Sequence, residues 1–450
     1  MQFKSLSVSI ETSSIFSPAP AGIGQPKETR VAVLFRRFGP YHHARLNAAG
    51  KLKQVFAVEA CGMEDTYAWD KVEGSGSFTR ITLTDHYADS HQWKRQLDRE
   101  MRRALDKIKP DVVVVPGWSS ADALSALFWC AENRTPAVMM SESTEWDEPR
   151  SGWKEWVKRR LVGICSAGLV GGQAHADYLV QLGLARDQIF QGYDSVDNDY
   201  FAAKSAEVRG READLRKRLG LPEKYFLASA RFVEKKNLCR LIEAYARYRQ
   251  HAQENALSAV KSVGALSAVS ASPRESAISP KCWDLVLLGD GALRETINSQ
   301  LALLNLRDHV LLPGFKQYEE LPSYYGLASA FVHASTTEQW GLVVNEAMAS
   351  GLPVLVSNRC GCAQDLVREG VNGFTFDPYN VEPLAEMMLK VSDFRFPLSD
   401  FGDASRRIIA EWGPERFANG LDAAVNTALA NRPKNTGLLD RLLLRVMTFK

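Results

Sequence analysis

Glu338 and Glu346 stand eight positions apart in STTEQWGLVVNEAMASG, from Ser335 to Gly351. The string follows a strand-like run and opens a helix-forming one. Glu338 falls in the connecting loop and Glu346 inside the helix, which should begin near Gly341. A helix starting there leaves its first backbone N–H groups unpaired and suited to phosphate oxygens. Gly341 lets a ligand approach the backbone closely. Glu346 then lies roughly 7–8 Å further along the helix axis. One carboxylate can accept from sugar hydroxyls and the other from ribose hydroxyls, on opposite sides of a diphosphate. The plainer reading is two glutamates on the surface of a good helix former, EAMA.

A second string, ARFVEKKN, runs from Ala230 to Asn237 straight after another strand-like run. Arg231 stands at the strand's end and Lys236 where the next helix begins. Both cations can reach one diphosphate, Arg bidentately and Lys as a point charge. A solvated helix start is the plainer meaning of VEKKN. Glycines close further strand-like runs at Gly289-Asp290-Gly291, Gly314-Phe315 and Cys360-Gly361. Each alone only marks a strand end; together they expose backbone where a base and a phosphate can approach.

The elements that must position these groups read as alternating strands and helices. RVAVLF from Arg30 begins the folded sequence, followed by VFAVEA from Val55, DVVVVP from Asp111, PAVMM from Pro136 and LVGG from Leu169, with a helix at His91 to Ile108. Short apolar runs suit strands buried on both faces of a parallel sheet. After a polar stretch, Lys204 to Lys224, the pattern restarts. YFLASA from Tyr225, a helix from Leu238 to Arg249, LVLLGDG, HVLLPG, AFVHAS and LPVLVS follow. The expected fold is α/β, with two doubly wound Rossmann-like domains facing each other across a cleft at the strand ends. Residues 1–28 read as a disordered leader, 29–200 as the first domain, 201–410 as the second, and 411–450 as a helix and basic tail. Ala252 to Pro280, rich in Ala and Ser, reads as a mobile insertion, with a weakly helical hairpin as the alternative.

Composition narrows the function. The chain has 450 residues, two or three domains' worth, with 55 basic and 53 acidic side chains, so no basic excess points to nucleic acid. No apolar run approaches the length of a membrane span. The N-terminus lacks the apolar core of a secretory signal. Seven scattered cysteines without a CxxC pattern suit free thiols in a reducing cytoplasm, and Cys360-Gly361-Cys362 offers no complete metal site.

These residues carry a resemblance. Glu338 and Glu346 fit the E-x7-E motif of the family-4 retaining glycosyltransferases of GT-B architecture. The string EAMASGLPVLVSNRCGCAQDLVREGVNGFTFDP resembles that family throughout, and GYDSVDNDYF from Gly192 resembles its interdomain crossover. The likeness is strong from about Gly192 to Pro378 and diffuse before it. It implies a hexosyltransferase-type enzyme that moves a sugar from a nucleoside-diphosphate sugar to a glycan, lipid-linked or small-molecule acceptor, with retention and without metal or other cofactor. It implies that Glu338 contacts the donor sugar and Glu346 the ribose. Arg231 and Lys236 would neutralise the leaving diphosphate, and Arg231, Lys236 and Glu338 would be the catalytic set. Gly341 and Leu342 would face sugar and phosphates, with Phe315 and Gly289 beside the nucleotide. By the same resemblance, the helix from Trp412 crosses back to the first domain. The chain departs from the family at Asn345, where an aliphatic residue is more usual, and at Cys360-Gly361-Cys362, where many members have a glycine pair.

The first domain should supply the acceptor side. Arg36, His42 and His43 in FGPYHHAR follow the first strand; Glu142 and Glu145 in SESTEWD follow another, where many relatives carry a histidine that this chain lacks. N-capping or loop solvation is the alternative for that second loop. Residues 151–161 and 441–450 combine apolar and basic side chains. Each is either a packed helix with a basic face or a contact with the anionic inner face of the cytoplasmic membrane. The rival functions are a catalytically inactive nucleotide-sugar-binding subunit, a same-fold epimerase, and a phosphorylase, for whose cofactor no local lysine pattern is present.

Overall fold

The computed structural model describes residues 28–63, 76–264, 282–431, 433 and 436–449, with side chains of 259–264 excluded. The expected leader, but for residue 28, and most of the expected insertion lie outside the described residues.

The apolar runs become two all-parallel sheets. The first comprises β1 (Arg30–Phe35), β2 (Gln54–Met63), β3 (Thr79–His86), β4 (Val112–Pro116), β5 (Ala137–Ser141), β6 (Ala167–Val170) and β7 (Ile189–Gln191), in the order 3-2-1-4-5-6-7. The second comprises β8 (Tyr225–Ser229), β9 (Asp284–Leu288), β10 (Val310–Gly314), β11 (Ala330–His333), β12 (Val354–Ser357) and β13 (Gly373–Phe376), in the order 10-9-8-11-12-13. Strand order reverses at the β1/β4 pair, where Val31 faces Val112, and at the β8/β11 pair, where Phe226 faces Ala330. Such reversals open a crevice at the carboxyl ends of the strands.

Helices seal both faces. In His91–Ile108 the side chains of Trp93, Leu97, Met101, Leu105 and Ile108 are buried, one stripe at three- and four-residue spacing. The Ser90 hydroxyl caps it by accepting from the Trp93 N–H at 3.1 Å. Pro414–Ala430 lies against Pro40–Gly50 and the first sheet through buried Phe417, Leu421, Ala424 and Val425.

Two expectations need correcting, and the structure fills in a third segment. The helix from Leu238 runs on to Gly264, so Ala252–Gly264 is helical rather than inserted loop, and Ala252 itself is buried. The polar stretch Lys204 to Lys224 holds two helices, ending Asn198–Arg209 and forming Glu212–Leu219; its polarity belongs to their solvent faces. The domain boundary set at residues 200 and 201 cuts the first of these. The last strand of the first sheet ends at Gln191, and the crossover is the segment from Gly192 to Asp197.

Candidate active site

The ends of β8, β9, β10, β11 and β5 meet around a cavity of about 530 Å³ between the two units. Its second-unit wall contains Arg231 and Lys236 after β8, Gly289 after β9, Phe315 after β10, Glu338 after β11, and Gly341, Leu342 and Glu346 from the next helix. All eight residues named from the second-unit strings therefore line one space.

Backbone geometry explains why the glycines are glycines. Gly289 has φ +123°, and a Cβ there would lie 1.9 Å from the Ala230 carbonyl oxygen. Gly341, at φ +107°, caps the helix Leu342–Ala349 in the left-handed region that only glycine enters cheaply.

Glu338 is the hub of a charged cluster. Its Oε2 accepts from Lys236 Nζ, from the Ser335 hydroxyl at 3.2 Å and from His333 Nε2 at 3.2 Å. Burial alone would raise its pKa. The hydrogen bond from His333 and the Lys236 charge outweigh burial and hold it well below the usual carboxylate range. Burial keeps His333 below its ordinary value, against the pull of Glu338, so it acts as a neutral donor. The cluster presents an ionised carboxylate, already oriented, to whatever enters.

Glu346 has the opposite electrostatics. It is fully buried against protein yet borders the cavity, and its Oε1 accepts from the Tyr41 hydroxyl of the first unit. Burial pushes it up to about 7, with the Tyr325 and Tyr41 hydroxyls opposing the rise. Its neighbour Asn345 has a job an aliphatic side chain could not do: the Asn345 amide oxygen accepts from the buried Trp340 indole N–H at 2.9 Å. Trp340 in turn rests on Trp412 at 5.4 Å and His175 at 5.7 Å.

Of the five first-unit candidates, only Glu142 borders the cavity. Arg36 places its guanidinium over the Tyr87 ring at 5.4 Å. His42 accepts from the Gly39 N–H through Nδ1 at 3.0 Å, and burial lowers it to about 3, so it caps its own helix as a neutral ring. His43 sits beside Asn47 and the Phe78 ring. Glu145 accepts from Gln181 on the exterior. A histidine beside a glycine at a helix start has a local use, and the sequence alone did not rank that use above catalysis.

The structure adds residues that the strings did not single out. Tyr41 and Asp194 line the cavity from the first unit. His175 accepts from the Gly172 N–H through Nδ1 at 3.1 Å, which leaves the proton on Nε2 to donate to the Gln339 carbonyl at 2.8 Å. Asp365 accepts from the Gln173 N–H at 3.1 Å. With Tyr41 and Glu346, these contacts cross the cleft and join the two units around the site. Each depends on a pairing more than 160 residues apart in sequence, beyond any local pattern. All seven cysteines are free thiols, and no cluster of metal-ligating side chains occurs among the described residues.

Residues 211–407 match the family model of glycosyl transferases group 1. The chain is 25% identical over 191 residues to an alpha-D-kanosaminyltransferase of Streptomyces kanamyceticus, covering 42% of each chain. It is 27% identical over 255 residues to the mannosylfructose-phosphate synthase of Agrobacterium fabrum, covering 55% of this chain and 50% of that one. These alignments span half or less of the relatives' lengths. Among solved structures, Anabaena HepE in complex with UDP-glucose superposes with TM-score 0.63 at 16% identity, over 87% of this chain and 98% of that one. A sucrose-phosphate synthase from Thermosynechococcus elongatus gives 0.63 at 17% identity, over 88% and 97%. The fold is the two-domain GT-B architecture.

Proposed function

We propose, from the match of residues 211–407 to the family model of glycosyl transferases group 1, that this chain moves a sugar from a nucleoside-diphosphate sugar to an acceptor hydroxyl, with retention and without metal. The observation that carries this reading is the shared cavity: two cations, an ionised carboxylate and glycine backbone at the strand ends of one sheet, opposite a wall from the other unit. Arg231 and Lys236 would take up the negative charge that develops on the diphosphate as the anomeric C–O bond breaks. Glu338 would face the donor sugar as a carboxylate already held in place by Lys236, Ser335 and His333. Glu346 would accept from the ribose hydroxyls after exchanging its Tyr41 partner. HepE and its like, with UDP or UDP-glucose bound, are consistent with a nucleotide sugar as donor.

The test is a thermal-shift panel of UDP, GDP, ADP and their common sugar conjugates, with chelator present. A ligand at 100 times its dissociation constant adds roughly 2.7 kcal/mol of stability. A shift with one diphosphate identifies the base and supports a metal-free donor site. No shift with any of them contradicts the reading and favours a fold retained for another purpose. An anomeric proton coupling in the product that differs from the donor's would contradict retention.

The acceptor side gains a second element from the surface. Trp153 and Trp156 are exposed and stacked at 5.0 Å on Gly152–Val162. Beside them, on Leu438–Phe449, Leu438, Leu442 and Val446 are exposed, and Arg160 pairs with Asp440 at 2.8 Å to join the two helices. Lys158, counted by sequence in the basic face, is instead buried against Tyr178 and Glu155. The exposed cations are Lys154, Arg159, Arg441 and Arg445. Apolar side chains among cations suit an anionic bilayer surface, and a peripheral position on the inner face of the membrane fits a lipid-linked acceptor. No helix among the described residues is long and apolar enough to cross a membrane. Trp153→Ser with Trp156→Ser should weaken binding to phosphatidylglycerol vesicles by about tenfold, the scale of one lost aromatic burial. Vesicle binding equal to that of the parent chain would refute the membrane contact.

A further inference from the structure

We propose that Asp194 and Glu142 together form the acceptor-sugar subsite, a pair of carboxyl groups that grips hydroxyls on the first-unit wall opposite Glu338. The inference rests on the glycosyl-transfer reading and adds to it the residue pair that holds the second substrate. Asp194 is 1% exposed yet borders the cavity. Neither of its carboxyl oxygens accepts from any N–H or O–H of the described residues. A buried carboxyl left without a donor is costly unless something supplies one.

What Asp194 faces is another carboxyl, that of Glu142, close enough for the two to share a hydrogen bond. The site is built for this meeting. A Cβ on Gly171 would lie 2.4 Å from Asp194 Oδ2, so glycine there leaves room for the carboxyl. Among the described residues, the cation acting on the pair is Arg45, itself buried, whose Nε donates to the Ser195 carbonyl at 2.9 Å. Glu338 and Asp147 add further negative charge near Glu142.

A buried carboxyl and a half-buried one beside one guanidinium cannot both ionise cheaply. Burial first, then the Glu142 charge, pushes Asp194 well above the usual carboxylate range; burial likewise raises Glu142. The pair therefore keeps one proton. It offers one donor and several acceptor lone pairs, the complement of neighbouring sugar hydroxyls, which both donate and accept. Because Glu142 and Glu338 feel each other's charge across the cavity, a sugar held here lies next to the donor sugar held there.

The experiment uses the full chain with Asp194→Asn and Glu142→Gln, which preserve shape and remove the shared proton. Saturation-transfer NMR with methyl glucoside, methyl mannoside and methyl galactoside is run with and without the diphosphate found in the panel above. The parent chain should contact at least one glycoside, and both variants should bind it at least tenfold more weakly, while the thermal shift by the diphosphate stays unchanged. In parallel, carboxyl 13C NMR of the Asp- and Glu-labelled chain should show this pair titrating above the ordinary carboxylate range, a behaviour absent from both variants. Failure of the glycosyl-transfer reading would appear separately, as a parent chain that no diphosphate shifts. The subsite is overturned if the parent chain contacts no glycoside, if both variants bind glycoside as the parent does, if diphosphate and glycoside binding fall together, or if both carboxyls titrate in the ordinary carboxylate range.

Discussion

Lys236→Ala should lower transfer turnover by about 10²–10³-fold, the usual loss when one preorganised charge donor is removed from a transition state. The lysine has two tasks. In the proposed reaction it would meet the leaving diphosphate, and in the structure it neutralises Glu338, with both side chains nearly buried, at 12% and 14% exposure. Removing one partner of such a pair strands the other charge, at a cost of about 3–5 kcal/mol when burial is complete and less here. The stability effect has a defined sign with pH. Glu338 is held below its ordinary value in the folded state, so its contribution is present at neutral pH and is lost as pH falls below the unfolded carboxylate value. Denaturant titrations should therefore show the variant's deficit at pH 7 shrinking toward pH 3. Steady-state kinetics separates the two tasks: the loss should fall on kcat, with the fold intact by circular dichroism. Turnover equal to the parent's would remove Lys236 from the site.

Glu346 supplies the second large effect, and its signature is a divergence. Its ordinary value is 4.5 and burial lifts it to about 7, so the folded chain binds more protons than the unfolded chain between those limits. Stability contributed by this group falls as pH rises through that window and levels off above it. At about 1.4 kcal/mol per unit the total is up to ~3 kcal/mol. Gln cannot ionise, so Glu346→Gln should be more stable than the parent at pH 8 and little different at pH 5. The same change should weaken nucleoside-diphosphate binding by about 10–100-fold, because a charged acceptor for ribose hydroxyls becomes a neutral one. Glu346→Ala should lose turnover strongly without unfolding. Melts at both pH values together with diphosphate titration check this; a variant that loses stability and affinity together at pH 8 would show Glu346 to be structural.

The donor wall was legible because each of its parts is local. Arg231 with Lys236, Gly289, Phe315, and Glu338 with Glu346 each directly follow a strand, so placing the strands placed the residues at one sheet edge. The first-unit wall was not legible in that way. His42 looked like chemistry and is a helix cap, while Tyr41 beside it reaches Glu346, 305 positions away. Asp194 lay unremarked inside the crossover string, because its meaning comes from Glu142 on a different loop. Strands β3, β7 and β13 went unrecognised for simpler reasons. β3 is a half-exposed edge without an unbroken apolar run, β7 has three residues, and β13 sits among glycine and polar residues that read as loop. The helix beyond Arg249 was missed because Ala and Ser, which form helices without marking a buried face, gave no stripe to follow.

The Tyr41 hydroxyl on Glu346 has a consequence for traffic through the cleft. The carboxyl of the second unit is occupied by a phenol of the first, so in the proposed reaction an arriving ribose would trade places with another hydroxyl rather than meet a hydrated acid. Little water need be stripped from Glu346 at that moment, and the swap releases one of the ties between the units. On the proposed reading, a bound ribose would remove this one tie between the units, while the contacts of His175 with Gln339 and of Gln173 with Asp365 would remain.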